Sequence, residues 1–168
     1  MNDKKQVWTS DDTSKKISIN GSATGFVELE ITKGEGMPEK FNSDWFNFYI
    51  TSWQTVVQAL FGKDTGEDVP SVMILANEAL EVGTYELKNP YEGDGWRVYG
   101  VYGVGRPGNI EWNAFGKGKL IVDKISNSAS EQLIKGSFEF SYTDIEKVVV
   151  KVVAREFWAK NKGISSGV

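Results

Sequence analysis

Residues 26–32 read Phe-Val-Glu-Leu-Glu-Ile-Thr. Val27, Leu29 and Ile31 fall on one parity, and Glu28, Glu30 and Thr32 on the other. Successive side chains leave opposite faces of a pleated backbone, so this period of two marks a strand with one face buried and one in water. The alternation returns in Trp45–Thr51, where Phe46, Phe48 and Ile50 oppose Trp45, Asn47 and Tyr49. That strand therefore has an apolar face and a second face that is aromatic but amphipathic. Val72–Leu75 is a short unbroken apolar run, the pattern of a strand covered on both sides. Further strands are predicted at Thr84–Lys88, Trp96–Val104, Ile110–Phe115, Lys119–Ile125, Leu133–Tyr142 and Lys147–Trp158. About nine strands with turn residues between them predict an all-β chain, an antiparallel β-sandwich or β-barrel.

One segment has a different period. Trp53, Val56, Val57, Leu60 and Phe61 follow the i, i+3, i+4, i+7, i+8 spacing of a helix face, with Ser52 placed as N-cap and Gly62 as C-cap. The spacing predicts one short helix over residues 53–61, plugging a barrel end or covering an edge.

The 168 residues suit one domain spanning the chain. Lys33–Asn42 and Lys63–Pro70 resemble linkers, yet a cut at either leaves a fragment too short to be stable, so both read as surface loops. The polar ends, residues 1–13 and 161–168, are expected to fray. Asn20-Gly21 reads as a hairpin turn.

The chain contains no histidine and no cysteine. Their absence excludes a Ser-His-Asp or Cys-His nucleophilic centre, a thiolate or imidazole zinc site, haem on its usual ligands and iron–sulfur clusters. No cofactor or metal is expected. The net charge of −4 argues against a nucleic-acid partner, which selects a basic face, and fits a soluble protein. No apolar run approaches the roughly 18 residues of a membrane helix. Met1–Ser10 lacks a secretory apolar region, so a cytoplasmic location is the default expectation unless a leader has been removed.

Several motifs dissolve on inspection. Gly103-Val104-Gly105-Arg106-Pro107-Gly108 matches a dinucleotide fingerprint, but Pro107 lies inside it and strand-like residues follow, so it reads as a turn between strands. The acidic loop Asp64–Asp68 lacks the later glutamate of a calcium loop. Glu28, Glu30, Glu111 and Glu139 are the carboxylates available for hydrolysis, and nothing in the sequence pairs any two of them across a cleft.

The unusual investment is in Gly93–Gly118, which concentrates glycines with Trp96, Arg97, Tyr99, Tyr102, Arg106 and Trp112. Glycine in a strand leaves a floor without side chains, and aromatics beside it supply flat stacking surfaces, with arginine as a polar anchor. The competing structural explanation is aromatic rescue, in which a Trp or Tyr on a neighbouring strand covers the gap at a strand glycine. By parity Trp96, Val98, Gly100 and Tyr102 share one face, and Arg97, Tyr99 and Val101 the other.

Three later strands carry a resemblance. Gly83-Thr84-Tyr85-Glu86-Leu87, Gly118-Lys119-Leu120-Ile121-Val122 and Gly136-Ser137-Phe138-Glu139-Phe140-Ser141-Tyr142 resemble small uncharacterised β proteins of Bacteroidetes-type bacteria, predicted lipoproteins of calycin-like or sandwich character. The resemblance covers about half the chain, lacks the lipobox cysteine, and implies a β fold without implying an activity.

Three functions follow. The first is a non-catalytic binding module whose six residues named above hold a small-molecule or glycan ligand. The second is a structural subunit that self-associates or meets a protein partner through Trp45, Tyr49 and the Lys147–Trp158 strand. The third, a carboxylate-based hydrolase, is selected by no feature.

Overall fold

The computed structural model describes residues 23–43, 45–61, 68–91, 97–106 and 109–161, with the side chains at 45, 69, 106, 109–111 and 113 outside the description. Ten strands form a single sheet: β1 (Thr24–Lys33), β2 (Glu39–Ser43), β3 (Trp45–Ile50), β4 (Thr55–Leu60), β5 (Val69–Ala76), β6 (Gly83–Leu87), β7 (Val98–Arg106), β8 (Asn109–Asn127), β9 (Gln132–Thr143) and β10 (Val149–Asn161). Their order is β2-β1-β10-β9-β8-β6-β7-β5-β4-β3, with β8 also pairing β7. All pairs are antiparallel except β6 with β7, which meet in parallel at Leu87 and Val98. No helix long and apolar enough to cross a membrane occurs among the described residues.

Two segments turn this sheet into a nearly closed barrel. The 19-residue β8 pairs with β7 through Asn109–Gly116, then with β6 through Gly118–Val122, while Lys117–Asn127 pairs with β9 on its other edge. The outermost strands of the order, β2 and β3, are consecutive in the chain: β2 pairs with β1, β3 with β4. Residues 39–50 thus change partner midway and bring the two ends of the sheet together. Across the remaining seam, side chains replace a ladder. Ile50 N–H donates to Gln132 Oε1 at 2.9 Å, and Gln132 Nε2 donates to Ile50 C=O at 2.6 Å. Asn161 Nδ2 donates to the Phe48 carbonyl at 2.7 Å. Ser43 Oγ donates to the Leu60 carbonyl.

The predicted inner faces of the first strands are the observed ones. Val27, Leu29, Ile31, Phe46, Phe48 and Ile50 are all buried in one core with residues from the other strands. Barrels of about this size either fill their interior with side chains or hold one small ligand. Here the void bordered by Phe46, Val57, Ile74 and Phe138 is about 10 Å³, at or below what a single water needs. The core around it is packed.

Several expectations are corrected. Residues 55–60 form a strand, not part of a helix, and no helix occurs among the described residues. β4 lies between β3 and β5 and is buried on both faces, so no polar alternation survives to reveal its period. Its β-branched Thr55-Val56-Val57 run favours an extended chain. Ser52 does not cap anything; it belongs to the turn in which Thr51 N–H donates to the Gln54 carbonyl at 2.8 Å. The loop expected at Lys33–Asn42 contains most of β2, and the two strands expected at Ile110–Phe115 and Lys119–Ile125 are one. A two-sheet sandwich gives way to the barrel. Asn161, assigned to a fraying end, closes β10 and is buried. The residues at 1–13, Asn20-Gly21 and Asp64–Glu67 lie outside the described residues.

Candidate functional site

Of the six candidate residues, the four whose side chains are described, Arg97, Tyr99, Tyr102 and Trp112, lie in different places. Val98, Gly100, Tyr102 and Val104 line the interior side of β7, and a Cβ on Gly100 would come within 2.9 Å of the Phe140 ring. On Gly116, the cross-strand partner of Gly100, a Cβ would overlap that same ring. Phe140 of β9 therefore fills the space that both glycines leave. At this pair, aromatic rescue is the arrangement present, with phenylalanine in place of the tryptophan or tyrosine foreseen.

Tyr102 points inward and is only 6% exposed. It stacks with Tyr142 of β9, ring centroids 6.3 Å apart and planes at 27°. Burial, together with the charge of Glu39, pushes the Tyr102 phenol up to about 12. Tyr142 is raised further, first by burial and then by Tyr102 and Asp144.

Tyr99 and Trp112 take the outer side. Tyr99 is half-buried and packs edge-on against Phe115 of β8, centroids 4.8 Å apart at 81°. Tyr91, 83% exposed, also meets Phe115, at 5.4 Å and 65°. The Tyr91 backbone N–H donates to Asn89 Oδ1 at 2.9 Å, an Asx turn that holds the ring-bearing residue in place. Burial and the neighbouring Tyr91 raise the Tyr99 phenol. Trp112 is partly exposed and lies directly across from Gly103. Phe115 and Tyr91 carry this surface and lie outside the six candidates. Neither was read from the sequence: an irregularity in the β7–β8 pairing between Trp112 and Ala114 resets the parity of β8 before Phe115, and the place of Tyr91 depends on its turn.

Arg97 is engaged. Its Nε and Nη2 donate to Glu78 Oε2 and Oε1 at 2.7 and 2.6 Å, and its guanidinium lies 5.5 Å from the centre of the Tyr85 ring. The arginine holds the carboxyl of Glu78 below its ordinary value. This fork ties the loop after β5 to the start of β7, so Arg97 serves the fold as it stands. Trp96 lies outside the described residues, as does the side chain of Arg106.

Of the carboxylates, Glu30 accepts from Arg155 Nε at 2.8 Å, and Glu139 lies between Lys119 and Lys151. The Glu111 side chain lies outside the description. Among the described residues no group of three or more acidic residues gathers around a metal position. The self-association surface foreseen on Trp45, Tyr49 and the last strand is changed: Tyr49 is buried, and of the β10 valines Val150 and Val152 face the core, leaving Val149 exposed and Val153 partly exposed.

Fold and surface together define an all-β, nearly closed barrel whose described inward side chains form one core, with an aromatic cluster of Tyr91, Tyr99 and Phe115 on its outer side. No protein-family model and no curated protein matches the chain.

Proposed function

We propose that the protein is a non-catalytic binding module that holds a small-molecule or glycan ligand on the outer wall around Tyr91, Tyr99, Phe115 and Trp112. The observation that carries this reading is the aromatic cluster Tyr91–Phe115–Tyr99, which leaves the Tyr91 ring 83% exposed on a turn that an Asx bond holds in place. Rings in mutual contact at a surface form a contiguous apolar patch, and such a patch supports a binding role. Among the described residues, the void between Phe46, Val57, Ile74 and Phe138 is about 10 Å³, too small for a ligand, and this supports an outside location. Calycin-like character, implied by the strand motifs, belongs to the same proposal in its wall alone, with the ligand on the outside.

The test is titration of the protein with a panel of neutral and charged oligosaccharides, followed by tryptophan fluorescence and amide chemical shifts. Shifts centred on Tyr91, Tyr99 and Phe115, lost in Tyr91→Ala, are expected. A panel that moves none of these resonances would sink the reading.

A further inference from the structure

The outward side chains divide the barrel wall in two. On β1, β9, β10 and the second half of β8 they carry ion pairs: Glu30 with Arg155, Lys119 with Glu139, and Lys135 with Glu156. On β3, β4, β5 and β7 the outward side chains are uncharged. Tyr49, Val56, Leu75 and Tyr99 form one row, each lying across from the next. Asn47, Gln58, Met73 and Val101 form the row beside it, and Leu60 and Ser71 belong to a third. All of them alternate along their strands with inward residues of the core such as Phe48, Val57, Ile74 and Val98.

This uncharged face is buried although it points away from the core. Asn47, Tyr49, Val56, Leu60 and Ser71 are between 0% and 4% exposed. Neighbours within the wall do not account for that, because Ile121 and Val153, outward and apolar on the ion-paired half, keep partial exposure. The face therefore has a cover. Among the described residues nothing lies over it: all ten strands belong to one sheet, Trp53 of the turn after β3 is 63% exposed, and Leu80 of the segment after β5 packs into the barrel core. Gln58, Met73 and Leu75 in the same rows are partly exposed, so the cover is narrow, as one extended chain would be.

We propose that this face is an interaction surface for the chain's own N-terminal segment, residues 1–22, with Ile17 and Ile19 as its apolar anchors. The point of entry fits. β1 begins at Thr24, across from Lys160 of β10, and the next residue of β10, Asn161, bonds the Phe48 carbonyl of β3. The chain thus enters β1 beside the uncharged face. Composition fits as well: Ile17–Ser22, Ile-Ser-Ile-Asn-Gly-Ser, carries no charge and sets Ile17 and Ile19 on one parity. Six extended residues reach about 20 Å, whereas the step from β3 to β7 across three strand spacings is about 14 Å. Residues 62–67 and 92–96 carry Lys63, Asp64 and Glu67 or Glu92 and Asp94, charges that an uncharged buried face would leave unpaired. Burial fades at Tyr99 and Phe115, which are partly exposed. The cover therefore borders the aromatic cluster, and it is independent of the binding-module reading.

A chain without cysteine takes a single spin label cleanly. In the full-length protein a nitroxide is attached at Ser18→Cys, between the two isoleucines, or at Ser166→Cys near the other end. The loss of amide signal is then read at Val56, Leu60 and Val101 on the covered face, and at Ile121 and Val153 on the ion-paired half. The Ser18 label is expected to erase the first three signals and spare the last two, and the Ser166 label to affect the first three less. Adding Ile17→Asp and Ile19→Asp to the Ser18 variant should restore most of the lost signal, with circular dichroism checking the fold. No loss from the Ser18 label, a stronger loss from the Ser166 label, or a loss indifferent to both isoleucines overturns the proposal. A loss carried over to unlabelled chains mixed with labelled ones assigns the cover to a second copy and overturns it too.

Discussion

The side-chain amide of Gln132 pairs with the backbone of Ile50 as a strand residue would, accepting from its N–H at 2.9 Å and donating to its carbonyl at 2.6 Å. The second Nε2 proton reaches Asn127 Oδ1 at 2.8 Å, so the amide is satisfied although Gln132 is 1% exposed. Its neighbour across the ladder, Asn161, makes the adjacent contact to Phe48. The barrel seam is held here by two side chains where a longer strand would have used its backbone.

Gln132→Ala removes both partners of Ile50 in a buried place. Leaving a buried donor and acceptor unpaired is expected to cost about 2–4 kcal/mol, read as a lower urea midpoint with an unchanged slope. Hydrogen exchange should accelerate at the Ile50 amide. Full retention of the midpoint would show that water replaces the amide and that the seam does not depend on it.

Gly116 and Gly118 should respond differently to alanine. A Cβ at Gly116 meets the Phe140 ring, which can be shortened, whereas one at Gly118 meets the backbone of Glu139, which cannot. Gly116→Ala is expected to destabilise by about 1–3 kcal/mol and to recover in part when combined with Phe140→Leu. Gly118→Ala should destabilise more and gain nothing from that second change. The check is a double-mutant cycle by chemical denaturation; equal coupling at both glycines would contradict the geometry.

Tyr102 sets an alkaline limit. Its folded value of about 12 lies above the value of about 10 expected in the unfolded chain, so the folded state favours the neutral phenol. The stability this contributes is fully present below pH 10 and is lost as pH rises from about 10 to about 12. Tyr142 extends the loss in the same direction. Urea midpoints measured across this range should fall for the wild type and less steeply for Tyr102→Phe. Phenolate absorbance should lag behind that of the unfolded protein.

Glu78 acts at the opposite end of the pH scale. Its carboxyl is held below the ordinary value mainly by the Arg97 hydrogen bonds, so what it contributes is present above that ordinary value and fades as pH falls through the depressed one. Both partners are at the surface, and the global effect of Arg97→Lys is expected to be small. The local effect is larger: amide exchange at Asn77 and Leu80, which bond the Arg97 carbonyl and Thr55 Oγ1, should accelerate. Unchanged exchange there would mean that Thr55 alone holds the loop.

Most of the wall was legible because burial on one face writes itself into alternate positions, as in Val27, Leu29 and Ile31. Legibility failed at β4, where burial on both faces erased the alternation and left a chance 3.6-residue spacing in Val56, Val57 and Leu60. It failed again at β2, a short edge strand of Glu, Lys and Asn around one phenylalanine. Of the six candidate residues, parity correctly separated Tyr102 from Tyr99. It said nothing of Glu78, which occupies Arg97, or of Tyr91 and Phe115.

The chain's own order of residues determined that it folds into strands, which faces turn inward, and, through the missing histidine and cysteine, which chemistries are closed to it. Tertiary structure alone decided that Phe140 covers Gly100 and Gly116, that Gln132 closes the barrel against Ile50, and that Tyr49, Val56, Leu75 and Tyr99 form one outward row. The physical reason is that the two-residue period of a strand states which side a residue faces, while its neighbours come from strands far away in sequence. Those neighbours exist only once the sheet has paired and curled.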